Sequence, residues 1–288
     1  MSTANVSLVT VRDVESLRCR IQAWRREGLS VALVPTMGAL HKGHITLMER
    51  AKKMADRVVA TIFVNPKQFG LNEDFGAYPR RETADFELLN AAGVHLLYAP
   101  DVAAMYPANF STNIHVSGVS EFLDGAHRPG HFDGVATVVA KLLLQALPDI
   151  ALFGEKDYQQ FVLIRRLVAD LNIPVDIIGV ETVREPDGLA LSSRNAYLSA
   201  DERAQAPALY RAITAAAKAI AAGEPIAAAT AAAQAQILAA GFSKLDYLDA
   251  RHAESLAPLT TKTEPGRVLA AAQLGRARLI DNIAIPRV

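Results

Sequence analysis

Short apolar runs rich in β-branched residues recur through the first two thirds of the chain, at 31–34, 58–64, 94–98, 150–153 and 175–180. Helical patterns fill most of the gaps, at 43–54, 81–92, 134–146 and 158–170. Strands separated by helices run in the same direction, so this order predicts an α/β fold with a mainly parallel sheet flanked by helices. In such sheets the ligand crevice lies beyond the carboxyl ends of the strands, near the point where strand order reverses. Residues that do chemistry should therefore stand just after the runs.

After 31–34 comes Pro35-Thr36-Met37-Gly38-Ala39-Leu40-His41-Lys42-Gly43-His44, where Pro35 and Gly38 end the strand and a helical pattern starts at the histidines. A helix N-terminus carries unpaired N–H groups and partial positive charge, which suits an anionic ligand such as a nucleotide phosphate. His41 and His44 share one face of a first helical turn. A metal pair would need a third or fourth donor, and no neighbouring Cys, His or carboxylate is spaced to supply it. The plain alternative is two surface histidines capping a turn. After 58–64 comes Asn65-Pro66-Lys67-Gln68-Phe69, and after 150–153 comes Gly154-Glu155-Lys156-Asp157-Tyr158-Gln159-Gln160. Each has an ordinary account, Asn65-Pro66 as a turn and Lys156 with Asp157 as a solvated helix start. Their shared position after successive strands points to a site.

Composition narrows the ligand. Thirty basic and thirty acidic residues give zero formal net charge, so no global field favours nucleic acid or an anionic membrane. A small-molecule substrate is expected. With 288 residues, 51% of them hydrophobic, the chain can build one large or two modest cores. Cys19 is the sole cysteine, which excludes an intrachain disulfide. Residues 1–14 lack the basic region and apolar core of a signal peptide, and the apolar stretch 135–147, interrupted by Lys141 and Gln145, is too short to span a bilayer. A cytoplasmic protein is the expectation.

The character changes at Val183. Arg184-Glu185-Pro186-Asp187-Gly188 is a turn-rich break, Leu191-Ser192-Ser193-Arg194-Asn195 follows, and Ser199-Ala200-Asp201-Glu202 carries a capping-box signature. Alanine-rich segments at about 204–222 and 225–240, separated by Gly223 and Pro225, read as helices, and 245–250, 267–274 and 277–285 read as strands. The chain divides on this reading into a first domain over 1–182 and a smaller α+β domain over 183–288. Ser192, Ser193 and Arg194 offer hydroxyl and guanidinium donors for a polyphosphate, although a polar interdomain loop would look the same.

His41-Lys42-Gly43-His44 with Ser192-Ser193-Arg194-Asn195 far downstream resembles the paired HxGH and KMSKS-like motifs of the nucleotidyltransferase superfamily. With the segments at 35–41, 62–69, Arg128-Pro129-Gly130-His131-Phe132-Asp133-Gly134, 153–160 and 191–195, in order and over nearly the whole chain, the sequence resembles the pantothenate synthetases, or pantoate:beta-alanine ligases.

The resemblance implies a Rossmann-like first domain, with the smaller domain closing over the ATP site, and an ATP-dependent ligase working as a homodimer with Mg²⁺. Pantoate and ATP would give pantoyl adenylate and pyrophosphate, and the beta-alanine amine would then displace AMP. Met37, Gly38, Ala39, Leu40, His41, Lys42, Gly43 and His44 match the adenine and phosphate segment, with His44 as proton donor and His41 as its phosphate-contacting partner. Lys156 would stabilise the α-phosphate, and Gly154, Glu155 and Asp157 would line the nucleoside. Ser192, Ser193 and Arg194 would hold the triphosphate tail, with backbone at Val183 and Leu191; Leu191 stands where the family commonly has Met. Gln68 and Gln160 match the pantoate pair, Arg128 and His131 a loop that helps close the site. Asp85 is a candidate magnesium ligand, or a group that supports the metal from behind its ligands, or equally a solvated helix residue. Other classes share part of this pattern. A class I aminoacyl-tRNA synthetase would need a basic RNA-binding module, which is not evident, and a regulatory nucleotide-binding module would leave His44 and Lys156 idle.

Overall fold

The computed structural model describes residues 8–70 and 75–287, which fall into two compact units. The first is built from the chain up to Ser120 with Arg128–Glu155 and Leu163–Val180; the second takes Glu121–His127, Lys156–Val162 and everything from Glu181 onward. The break after Val180 lies beside the sequence boundary at 182/183, and the second unit also draws in two short segments from inside the expected first domain.

The elements of the first unit run β1 (Val9–Val11), α1 (Val14–Arg26), β2 (Val31–Thr36), α2 (Lys42–Lys52), β3 (Arg57–Ile62), α3 (Glu82–Ala91), β4 (Leu96–Tyr98) and α4 (Val102–Met105). After α5 (Asp124–His127), in the second unit, come α6 (His131–Ala146), β5 (Ile150–Gly154), α7 (Tyr158–Asp170) and β6 (Asp176–Val180). The six strands pair in the order β1-β4-β3-β2-β5-β6, every pairing parallel. The α/β expectation holds, and the alternation starts earlier than the sequence suggested. β1 is a three-residue edge strand, and α1, capped by Asp13, buries only Leu17 and Ile21 among many charges.

The chain moves outward from β2 through β3 to β4, then returns to lay β5 on the other side of β2. The carboxyl ends of β2 and β5 thus flank the reversal of strand order, where open α/β sheets bind ligands. Val31–Val34 are fully buried because α2 and α6 both pack on β2, which explains why that run is continuously apolar rather than alternating.

The second unit holds α8 (Ala200–Gln205), α9 (Ala208–Ala222), α10 (Ile226–Ala239), β7 (Lys244–His252), β8 (Gly266–Leu274) and β9 (Ala277–Ala284). The strands form an antiparallel sheet in the order β7-β8-β9, as the α+β expectation requires. α9 and α10 pack on each other and on that sheet through buried Ala212, Ala216, Ala229 and Ala233, whose small side chains allow close approach. The single helix expected from about 204 is broken, because Pro207 cannot donate the hydrogen bond a continuous helix needs and instead caps α9. Gly223, at φ +101°, ends α9 in the left-handed conformation that favours glycine.

Charge fixes the segment 121–127 in this unit. Asp124, buried, accepts from Arg278 Nη2 at 2.6 Å and from the Tyr247 hydroxyl at 3.1 Å, while Arg278 Nε also donates to Asp246 at 2.8 Å. Burial and the Asp124 charge push the Tyr247 hydroxyl well up, so it remains a donor. Among the described residues no helix is long and apolar enough to cross a membrane.

Candidate active site

The turn after β2 is built around a buried carboxylate. Gly38 (φ +81°) and Ala39 (φ +51°) are both left-handed, and a Cβ on Gly38 would stand 2.9 Å from Asp85 Oδ2 and 3.2 Å from Ile62 Cγ2. Glycine is required there by conformation and by space. Asp85, 2% exposed on α3, accepts the Ala39 N–H on Oδ2 and the Leu40 N–H on Oδ1, each at 2.8 Å. Asp85 is therefore not a solvated helix residue: both of its oxygens hold the turn. Among the described residues no group of three or more His, Cys, Asp or Glu is placed to hold a metal ion. The N–H groups of Ala39 and Leu40 face Asp85.

α2 then starts on an unusual cap. His41 is the N-cap, its Nδ1 accepting the Gly43 N–H at 3.1 Å, and the His44 Nδ1 accepts the His41 N–H at 3.3 Å. The two rings lie 4.1 Å apart between centroids. A ring nitrogen that accepts cannot carry the proton, so in each neutral imidazole the hydrogen sits on Nε2. Both histidines cap the turn, which leaves Nε2–H as the donor of each neutral ring.

The segment after β3 meets this turn. Gln68, 8% exposed, donates from Nε2 to Met37 Sδ at 3.2 Å and accepts on Oε1 from Asn65 Nδ2 at 2.9 Å. Asn65 also donates to the Gly134 carbonyl at 3.1 Å and accepts from the Tyr106 hydroxyl at 2.8 Å. Burial pushes the Tyr106 hydroxyl up, keeping it a donor. His131 Nδ1 lies 2.8 Å from the Gln68 carbonyl and Arg128 Nη1 lies 3.0 Å from His131 Nε2, so this pair supports the Gln68 turn. Gly154 ends β5, with nothing within 4 Å of where its Cβ would be. Glu155, at the end of the same segment, opens the 3-10 turn Glu155–Asp157.

The second unit gathers the other candidates. Lys156 and Asp157 complete that 3-10 turn, and the Lys156 carbonyl accepts from Asn282 Nδ2 on β9 at 2.9 Å. Gln160 is half-buried in the first turn of α7, beside Gln159, which donates to the Phe122 carbonyl at 2.7 Å and accepts from the Asp124 N–H at 3.0 Å. Residues 183–191 form a hairpin, with the Leu191 N–H on the Val183 carbonyl at 2.9 Å. Ser192 caps the 3-10 helix Ser193–Tyr197 by accepting the Arg194 N–H at 3.3 Å. Lys156, Ser192, Asn195, Tyr210 and Asp281 line one recess, so the turn after β5 and the Ser192 loop meet within this unit.

Sequence reasoning passed over several residues on which these arrangements rest. Asn65 looked like a turn residue, and it does start a 3-10 turn, but 1% exposure and its bonds to Gln68 and Tyr106 make it the hub of the Gln68 turn. Tyr106, Asp281 and Asn282 carried no local signal, since their partners lie 41, 97 and 126 residues away.

Known proteins resemble this chain in sequence and in fold. The pantoate-beta-alanine ligase profile matches residues 9–284. The pantothenate synthetase of Paramagnetospirillum magneticum is 59% identical over 285 residues, 99% of each chain. The crystal structure of pantothenate synthetase from Thermus thermophilus superposes with a TM-score of 0.91 at 48% identity, covering 96% of this chain and 99% of that one. A pantoate-beta-alanine ligase from Francisella tularensis, complexed with beta-gamma ATP and beta-alanine, superposes with a TM-score of 0.80 at 33% identity over 96% and 97% of the two chains. With a sheet reversal between β2 and β5, an HxGH turn on it and a profile match from 9 to 284, this chain belongs to the pantoate-beta-alanine ligase family.

Proposed function

We propose that this chain joins pantoate to beta-alanine at the expense of ATP, through enzyme-bound pantoyl adenylate. A carboxylate is a poor acyl donor because oxide would have to leave. Attack of a pantoate carboxylate oxygen on the α-phosphorus expels pyrophosphate and yields a mixed anhydride, from which AMP departs when the amine nitrogen attacks the acyl carbon and loses a proton. Charge shifts onto phosphate oxygens in the first step, so positioned donors and cations should carry most of the catalysis, each about 3 kcal/mol.

The carrying observation is the bond from Gln68 Nε2 to Met37 Sδ, which holds the proposed carboxylate-binding turn against the proposed phosphate-binding turn. An amide can donate to the pantoate carboxylate and accept from its hydroxyls without adding charge. The Nε2–H groups of His41 and His44 would donate to phosphate, and Lys156, Ser192, Ser193 and Arg194 would neutralise the rest of the ATP. Mg²⁺ would enter as the ATP complex, held chiefly through phosphate oxygens and water. The family resemblance further supports a homodimer, and biosynthetic relatives support a cytoplasmic enzyme.

The test is pantoate-dependent exchange of labelled pyrophosphate into ATP without beta-alanine, followed by AMP release when beta-alanine is added. Exchange that requires pantoate establishes the adenylate. Folded protein that binds ATP but neither exchanges pyrophosphate nor releases AMP with all substrates present would refute the reading.

A further inference from the structure

We propose that Asp281 and Asn282, neighbours on β9, are positioning residues that set the spacing between the Lys156 turn and the Ser192–Arg194 loop. The inference rests on the proposed adenylate-forming reaction, for which both segments would supply donors to one ATP.

Both side chains are about 5% exposed or less, and their hydrogen bonds reach these segments, the supports of these segments and each other. Asp281 grips Arg184 with two bonds, Nη1 to Oδ2 at 2.7 Å and Nη2 to Oδ1 at 2.9 Å. Arg184 belongs to the hairpin that leads into Ser192; its guanidinium also donates to the Gly188 carbonyl at 3.0 Å and stacks 3.9 Å from the Tyr210 ring centroid. The hairpin is thereby fixed at its base by charge and on its flank by an aromatic face. From its far end Asn195 Nδ2 donates back to the Ala190 carbonyl at 3.0 Å, so the Ser192 loop inherits that placement.

Asn282 performs the same office for the other segment. Its Nδ2 donates to the Lys156 carbonyl, its Oδ1 accepts from Arg267 Nη1, and the Arg267 guanidinium stacks 3.8 Å from the Tyr158 ring centroid. The backbone ties the two grips together, since the Asn282 N–H donates to Asp281 Oδ1 at 2.8 Å and the Asn282 carbonyl accepts from Arg184 Nη2 at 3.3 Å. Within the second unit one dipeptide thus connects the 3-10 turn holding Lys156 to the hairpin holding Ser192, and the recess lined by Lys156, Ser192 and Asp281 lies where they meet.

Stability alone gives a poor reason for this construction. A buried ion pair costs desolvation, and apolar residues of equal volume usually serve a core as well. A bidentate pair does fix direction and distance, which matters where donors must match a charge distribution to within a fraction of an ångström.

Two variants test it, Asp281→Asn and Asn282→Ala, each compared with the parent by pyrophosphate exchange, by AMP release from supplied pantoyl adenylate with beta-alanine, and by urea unfolding. The triphosphate tail is present only in the first step, whereas α-phosphate stabilisation serves both. Asp281→Asn should therefore cut exchange at least tenfold while AMP release stays within twofold, and Asn282→Ala should cut both at least fivefold, with the pantoate KM of each unchanged. Losses that are equal in both assays for both variants, and that follow the folded fraction, would reduce the pair to a structural role and overturn the proposal. Parent-like rates in both variants would overturn it too. Should Asn282→Ala fail to fold, the near-isosteric Asp281→Asn decides by the split between its two half-reactions. An inactive parent refutes the reaction itself, a result separable from failure of the positioning role.

Discussion

Substitution of Gly134 by Ala separates what the helix wants from what the site needs. Gly134 lies within α6, where alanine is favoured over glycine by about 1 kcal/mol, so propensity alone predicts a more stable protein. Packing predicts the reverse. A Cβ there would stand 2.3 Å from the Lys67 carbonyl oxygen, 2.4 Å from its carbon and 2.6 Å from the Gln68 nitrogen, where ordinary contact begins near 3.4 Å. The obstacle is backbone, so no rotamer change relieves it, and the 3-10 turn Pro66–Gln68 must retreat by about 1 Å. That movement pulls on the Asn65 bond to the Gly134 carbonyl and the His131 contact with the Gln68 carbonyl. Overpacking costs about 1–3 kcal/mol and each strained hydrogen bond about 1 kcal/mol, which outweighs the propensity gain and leaves a net loss near 3 kcal/mol. Trp24, the sole tryptophan, lies on α1 of the first unit and reports its unfolding in urea. The midpoint should fall by roughly 1 M for a slope near 3 kcal/mol per molar. Because Gln68 moves with the turn, kcat/KM for pantoate should drop by about 100-fold, the usual consequence of a 1 Å misplacement. A Gly134→Ala protein as stable as its parent, with unchanged pantoate dependence, would refute the claim that the Gln68 turn is pressed onto α6.

Asp85→Ala should lose about 2–3 kcal/mol, because it strands the N–H groups of Ala39 and Leu40, and should raise the ATP KM while the Mg²⁺ concentration for half-maximal exchange stays put. A large shift in the Mg²⁺ requirement alone would instead assign Asp85 to the metal. Gly154→Ala should leave the urea midpoint unchanged, since nothing lies within 4 Å of the new Cβ, yet raise the ATP KM; a normal KM would show that no ligand approaches there. His95 is held neutral by burial, with Arg57 and Lys52 adding to the effect, and its pKa falls from 6.5 to about 4. The unfolded chain takes up that proton first as pH drops, so first-unit stability should decline from about pH 6.5 to about pH 4. His95→Gln should flatten that slope by urea midpoint against pH.

Periodicity was enough for the strands that are buried on both faces. The run at 31–34 is continuously apolar because α2 and α6 cover both sides of β2, and such a run announces itself without any tertiary knowledge. β1 was not legible, because a three-residue edge strand differs little from any short apolar stretch until its partner β4 is in place. Within the site, the Gly38 turn and the histidines were legible because glycine and a helix start leave local marks. The roles of Asp85 and Asn65 were not, because a carboxylate on a helix and an Asx turn look alike whether exposed or buried.

By itself the sequence determined the fold class, the β2 turn with its two histidines and the strands of the tail, whose signals arise from neighbours within a few residues. Only the tertiary structure decided that Asp85 fills the Gly38 turn, that the histidine caps leave Nε2–H as the donors, and that β9 holds both Lys156 and the Ser192 hairpin. Those are pairings across 46, 126 and 97 residues, apart from the caps, whose donor and acceptor roles needed actual distances. Hydrogen bonds and ion pairs act over about 3 Å in space, and separation along a chain says nothing about that distance until the chain is folded.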